Sequence, residues 1–200
     1  MTVGYHLCFG AYGFWLPNDP RGSGSNYVGS KELLKFGRAT KLKSRRRSVA
    51  RKPHDVARRL AAKEALKYPA VRFNGVQARA VGRGFAEYAR NSKLTIWACA
   101  VLPDHAHLVV ARHRLDIEQV AIQLKGAATR QLLKEELHPF GALRKPNGDV
   151  PRCWGRGEWK VELDSEEEVR QRVRYVEDNP LKEGLPRQKW SFVTPFAKKT

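Results

Sequence analysis

Residues 93–112 constrain the fold more than any other stretch. Lys93-Leu-Thr-Ile-Trp-Ala-Cys-Ala-Val-Leu reads as a strand rich in β-branched, aromatic and small apolar residues, and Pro103-Asp104 ends it. His107-Leu-Val-Val-Ala-Arg follows at once as its hairpin partner. Two strands joined this tightly must pair antiparallel, because a parallel pair needs a crossover of a dozen or more residues. The rest of the chain therefore has to supply further strands for this hairpin and helices to cover them.

Val3 to Phe9 reads as another strand, ended by Gly10 and Gly13. Trp15-Leu-Pro-Asn-Asp-Pro-Arg-Gly is a turn-rich loop. Asp55 is placed to cap a helix running through Arg59, Leu60 and Leu66 to Pro69. From about Asn74 to Arg90, Val76, Ala80, Phe85 and Tyr88 fall roughly on one helical stripe. Asp116 opens the clearest helix, with Ile117, Val120, Ala121, Leu124 and Ala128 at helical spacing, and Pro139 stops it. Trp159 to Leu163 is a short strand candidate. Asp164 or Ser165 caps a final helix whose first turn holds Glu166 to Glu168, and Pro180 limits it. Strand, helices, strand, strand, helix, strand, helix is an α+β order with a largely antiparallel sheet. We expect one domain over residues 1–200.

Charge narrows the partners. The chain has 38 Lys and Arg against 20 Asp and Glu, a net +18 on 22.7 kDa. Such an excess repels itself in the folded state, and a polyanionic partner is the usual compensation. Nucleic acid comes first; no apolar run long enough for a span or signal peptide favours a membrane. From Arg38 to Lys52 the chain carries eight Lys or Arg and no acid, which reads as a basic, mobile insertion at about 21–54. Cys8, Cys99 and Cys153 have no zinc spacing and leave one unpaired. Cys8 and Cys99 sit in apolar stretches and read as small core residues, and a reducing cytoplasm with a nucleoid-associated target fits.

His105 and His107 flank Ala106 at the start of a strand, and a period of two turns both imidazoles to one sheet face. They are either a metal-ligand pair or ordinary surface histidines. Tyr175 and Asn179 are four residues apart, so both project from one face of the final helix. An amide oxygen at Asn179 can complete a metal shell while the phenol points at a phosphate; the other reading is a packed tyrosine and an asparagine capping before Pro180. Arg152, Trp154, Arg156 and Trp159 interleave cations with aromatics in a glycine-rich stretch, a pattern that stacks on unpaired bases and holds phosphates. At least one of those tryptophans also suits the core. Lys125 and Arg130 lie off the apolar stripe of the long helix, and Arg174 and Lys182 lie beside Tyr175; all four are candidates for phosphate contacts or plain solvation. His6 alternates along the first strand and either approaches the site or is simply packed or exposed.

Leu102-Pro-Asp-His105-Ala-His107-Leu-Val resembles the HUH motif of the single-tyrosine HUH transposases, a group that includes the short insertion-sequence transposases and the REP-associated tyrosine transposases. Ala106 is a small residue at the bulky "U" position. Tyr175-Val-Glu-Asp-Asn179-Pro180-Leu-Lys182-Glu-Gly184 is similar to the family's Tyr-x-x-x-Asn-Pro-x-Lys-x-Gly segment. Tyr5-His-Leu-Cys-Phe and the Trp15 loop resemble a subgroup, whereas residues 21–70 contribute little. The resemblance implies a ferredoxin-like antiparallel sheet with helices on one face, of HUH endonuclease type. It further implies Tyr175 as nucleophile, His105 and His107 holding Mg²⁺ or Mn²⁺, and single-stranded or hairpin DNA as substrate. Nicking and rejoining would pass through a 5′-phosphotyrosine, in a monomer or a homodimer. Two other readings stay open: a non-catalytic binder of structured single-stranded DNA or RNA, and a domesticated nuclease that processes repeat hairpins.

Overall fold

The structure, a computed structural model, describes residues 1–17, 19, 31–37 and 54–196. The basic run Arg38–Lys52 of the expected insertion lies outside the described residues. Strand β1 is Gly4–Gly10, β2 Ile96–Val101, β3 His105–Ala111 and β4 Trp159–Leu163. The helices are α1 Lys31–Leu34, α2 Val56–Glu64, α3 Gly75–Ser92, α4 Ile117–Lys134 and α5 Glu166–Lys182. The strands form one antiparallel sheet in the order β2-β3-β1-β4. With α3 between β1 and β2, and α4 between β3 and β4, this is the ferredoxin-like arrangement.

Local chemistry sets most element ends. Asp55 caps α2 by accepting from the Arg58 N–H at 2.8 Å. Asn74 and Gln77 form a reciprocal capping box at the start of α3. Ser165 accepts from the Glu168 N–H at 3.2 Å, and Glu166, Glu167 and Glu168 sit at the positive end of the α5 dipole. Pro180 falls inside α5, in its last turn, and the helix ends two residues later at Lys182.

The sheet has two covered faces. On one, Leu7, Phe9, Ala106, Leu108, Val110, Ile96 and Val101 meet the buried stripes of α3 and α4. Helices α3 and α4 touch closely because Gly84 lacks a side chain: a Cβ there would lie 2.7 Å from the Ala127 carbonyl oxygen and 2.7 Å from Ala128 Cα. On the other face, Val169 and Val176 of α5 pack on Ala98, Ala100, Val109, Val161 and Leu163. Each of those two valines is fully buried and worth roughly 1.5–3 kcal/mol. Helices on one face therefore describes α3 and α4, while α5 covers the other. The reason is α5's own apolar stripe, which finds small residues, Ala98 and Ala100, leaving room against β2.

Strand β2 carries a register shift between Ile96 and Ala98. Trp97 is the extra residue, so Ile96 faces α3 while Ala98 faces α5. The β2 edge is not left open. The Gln188 side chain accepts from the Val101 N–H and donates to the Val101 carbonyl, both at 2.8 Å. Trp190 Nε1 donates to the Cys99 carbonyl at 3.1 Å, and the Thr194 N–H to that of Ile96 at 2.9 Å. Residues 188–194 thus occupy groups that would otherwise template another strand.

Candidate active site

The α5 face of the sheet is set by a period of two along β1 and β3. His105, His107 and Val109 of β3 share it with His6 and Cys8 of β1, because Cys8 lies opposite His107 and His6 opposite Val109. His6 and His107 are thus diagonal cross-strand neighbours, close enough for ring contact. Their rings stack at 5.2 Å, and His6 Nε2 lies 3.0 Å from His107 Nδ1. Cys8 Sγ stands 4.0 Å from His107 Nε2.

His105 is held differently. Its Nδ1 donates to the Asp104 carboxylate at 2.7 Å, and Asp104 also faces Arg72 at 3.8 Å. Phe14 stacks on its ring at 4.6 Å. Phe14 in turn rests on Gly10, where a Cβ would lie 2.5 Å from the Phe14 ring. The His105 and His107 rings meet nearly edge to face, 4.8 Å apart. In both imidazoles Nδ1 has a partner, which leaves Nε2 as the ligand atom, with the Cys8 thiol also facing that of His107.

Tyr175 reaches this cluster from α5. Its ring centroid lies 5.8 Å from that of His107 and 5.6 Å from that of His6, and 37% of the residue remains exposed. Lys182 Nζ sits 4.6 Å from the Tyr175 ring centroid, and the Arg172 guanidinium 5.9 Å. Positions 172, 175, 179 and 182 share one helix face by spacing. Burial pushes the Tyr175 phenol up from 10, and Cys8 adds to the rise. A hydrogen-bonding interaction with Asn179 and the Arg172 charge oppose it, but burial wins. Asn179 is itself buried, and its Nδ2 has no other partner among the described residues.

The two inner histidines are kept neutral. Burial, then Arg172, lowers His6 from 6.5 to about 3. Burial, followed by His105, His6, Arg172 and Lys182, holds His107 well below 6.5. A neutral imidazole is the form that binds metal. This also predicts an acid sensitivity. Below pH 6.5 the unfolded chain binds protons that the folded chain refuses, so stability present above 6.5 is lost as the pH falls toward 3. The slope reaches about 1.4 kcal/mol per pH unit for each such histidine. Urea unfolding of the metal-free protein at pH 6.5 and 5.5 should show the drop; equal stabilities would contradict this burial.

The other sequence candidates scatter. Lys125 lies half-buried over the Phe9 ring, donates to the Gly157 carbonyl at 3.0 Å and pairs with Glu158 at 3.6 Å. Burial lowers its pKa, with Glu158 opposing. Trp154 is 6% exposed and packs on Phe9 and Phe73. Of the expected DNA contacts, Lys125 thus engages a local ion pair, and Trp154 has its ring in the core. Trp159 instead lies edge-on to His6 at 5.3 Å. Arg130, Arg152 and Arg156 are exposed. Lys182 stands over the tyrosine as its spacing allowed, whereas Arg174 points to Glu167 at 3.6 Å. Arg172 takes the place beside Tyr175 expected of Arg174. Its i−3 spacing from Tyr175 was the available signal.

Among the described residues, no group of three or more His, Cys, Asp or Glu is arranged to hold a metal ion. No described helix is long and apolar enough to cross a membrane.

Two solved structures match the chain. One is a REP-associated tyrosine transposase bound to a REP hairpin, with a TM-score of 0.48 and 14% identity over 96% of this chain and 76% of that chain. The other, from Deinococcus radiodurans R1, is described as a transposase, with a TM-score of 0.39 and 17% identity over 89% of this chain and 91% of that one. No curated protein matches. The family model described as "Transposase IS200 like" matches residues 65–179, more than half of the chain and a span that holds His105, His107, Tyr175 and Asn179. The chain belongs to the IS200-like transposase family.

Proposed function

We propose that this transposase is a metal-dependent endonuclease and strand transferase for single-stranded DNA, with Tyr175 as nucleophile and His105 and His107 as metal ligands. The observation that carries the reading is the approach of Tyr175 to His107 within one chain, at 5.8 Å between ring centroids.

The donor set fits a divalent cation. His105 and His107 each have Nδ1 engaged, which makes Nε2 the ligand atom, in His107 beside the Cys8 thiol at 4.0 Å, and His107 is held neutral. Two imidazoles, with the Asn179 amide close to the phenol, leave coordination positions for substrate oxygens and water, as an open catalytic site requires. Mg²⁺ or Mn²⁺, when bound, supplies Lewis-acid polarisation of a phosphoryl oxygen and neutralises developing charge.

The protein's own residues do the rest. Tyr175 Oη attacks phosphorus in line. The Oη–P bond forms as the P–O3′ bond breaks, and the departing O3′ takes a proton to become a 3′-hydroxyl. The phosphate stays esterified to Tyr175 and to O5′ of the downstream fragment, the one on the 3′ side of the break. The phenolic proton must leave first, against the rise that burial imposes. Arg172 opposes that rise, and Lys182 over the ring adds a second cation on the same side. The phosphotyrosine keeps the energy of a phosphodiester, so attack by a different 3′-hydroxyl gives strand transfer without ATP. Tyr175 serves the histidine pair of its own chain in this reading, and residues 188–194 covering the β2 edge favour a protein that works without extending its sheet into a second copy.

Exposed Arg130, Arg152 and Arg156, and half-buried Arg172, are candidates to hold phosphates of the DNA. A purely binding protein has no need of a tyrosine beside paired histidines, which favours the catalytic reading. Incubation with labelled single-stranded hairpin DNA and Mn²⁺ tests it. Cut strands with free 3′-hydroxyls, suppressed by EDTA, are expected. Tight binding with no cutting, in either metal and across hairpins of varied sequence, would contradict it.

A further inference from the structure

One buried polar group in the site has no part in this chemistry. His6 is 1% exposed, yet its ring lies among His107, Trp159 and Tyr175. An imidazole placed there for packing alone would do worse than a leucine, since a buried polar group gains only what its hydrogen bonds return. His6 makes one such bond, Nε2 to His107 Nδ1 at 3.0 Å, and its Nδ1 has no partner among the described residues.

That single bond is shared between two neutral rings, so one nitrogen donates and the other accepts. If His6 Nε2 carries the proton, His107 Nδ1 must accept, and the His107 proton moves to Nε2. A protonated Nε2 has no lone pair for a metal. If instead His107 Nδ1 donates, its Nε2 keeps its lone pair, facing the Cys8 thiol at 4.0 Å, and His6 carries its proton on Nδ1. Only the second arrangement is compatible with ligation by His107.

We propose that His6 is a positioning residue whose Nε2 accepts a hydrogen bond from His107 Nδ1, fixing the tautomer and ring orientation in which His107 Nε2 is the ligand atom. It does for His107 what the Asp104 carboxylate does for His105 at 2.7 Å. The two histidines are thus oriented by unlike partners, one a half-buried carboxylate on the loop and the other a buried imidazole on β1. Partners of this kind orient metal-binding histidines, and losing one typically costs 10–100-fold in metal affinity. The assignment rests on the metal-dependent reading above.

The test compares wild type with His6→Leu and His6→Gln. Leucine fills the space without an acceptor, and glutamine places an amide oxygen near the position of Nε2. Manganese affinity is read by electron paramagnetic resonance on DNA-free protein, and the His107 tautomer by ¹⁵N NMR of the metal-free protein. Wild type should carry the His107 proton on Nδ1. His6→Leu should bind Mn²⁺ about 10–100-fold more weakly, with His107 shifted toward the Nε2–H form, and His6→Gln should recover most of the loss. Hairpin binding without metal should be equal in all three. Equal Mn²⁺ affinity in wild type and His6→Leu, or a wild-type His107 protonated on Nε2, would overturn the assignment. The NMR result decides even if His6→Leu fails to fold. A wild type that binds no Mn²⁺ while showing the Nδ1–H tautomer would instead overturn the metal-dependent reading.

Discussion

Tyr175→Phe should abolish cutting, with a rate loss on the order of 10⁴-fold or more, while leaving DNA binding and stability nearly unchanged. Removal of a nucleophile costs more than removal of any single supporting group, because no other route through the covalent intermediate remains. The fold should tolerate the change. Tyr175 is 37% exposed, and α5 is fastened by Val169 and Val176 rather than by the phenol. Phenylalanine keeps the ring against His6, His107 and Lys182. Cutting assays on labelled hairpins, paired with binding titrations, separate the two effects. Undiminished cutting would move the nucleophile elsewhere.

The second large effect is expected at the histidine pair. His105→Ala/His107→Ala should lower cutting by roughly 10³-fold, since a bound cation contributes several kcal/mol of charge stabilisation and 1.36 kcal/mol is tenfold in rate. Hairpin affinity should persist, because it depends on Lys and Arg contacts to phosphates and on salt. The double variant should also be insensitive to EDTA in whatever residual activity it keeps. Full activity in this variant would remove the pair from the chemistry. Loss of binding together with cutting would mean that the histidines hold the DNA rather than a metal.

Much of this architecture is legible in local sequence. The hairpin at residues 93–112 forces antiparallel pairing, and both histidines end on one face because the strand period is two. Ser165 and Glu166–Glu168 announce the start of α5, and Trp159–Leu163 needs no adjustment as β4. What local pattern does not carry is which face each helix takes. The single extra residue at Trp97 reverses the phase of β2 and opens a seat for α5, and a bulge has no reliable signature in one sequence.

The site divides along the same line. Tyr175 and Lys182 follow from helix spacing, but Lys125 and Trp154 do not show their burial there. Both are claimed by tertiary partners, Glu158 for the lysine and Phe9 with Phe73 for the indole. Arg172 was within reach of the spacing argument, since it precedes Tyr175 by three. His6 is different in kind. Its contact with His107 depends on the register that sets Cys8 opposite His107, which only the paired strands define.

The claim that Tyr175 is the covalent nucleophile can be tested without any variant. The protein is incubated with a single-stranded hairpin and Mn²⁺, denatured, digested with protease and nuclease, and the adduct is sequenced by mass spectrometry. The account predicts a peptide modified at Tyr175 by a nucleotide joined through its 5′-phosphate. A modified residue other than Tyr175, or cut DNA that bears a free 5′-phosphate with no protein adduct at any time point, would contradict it.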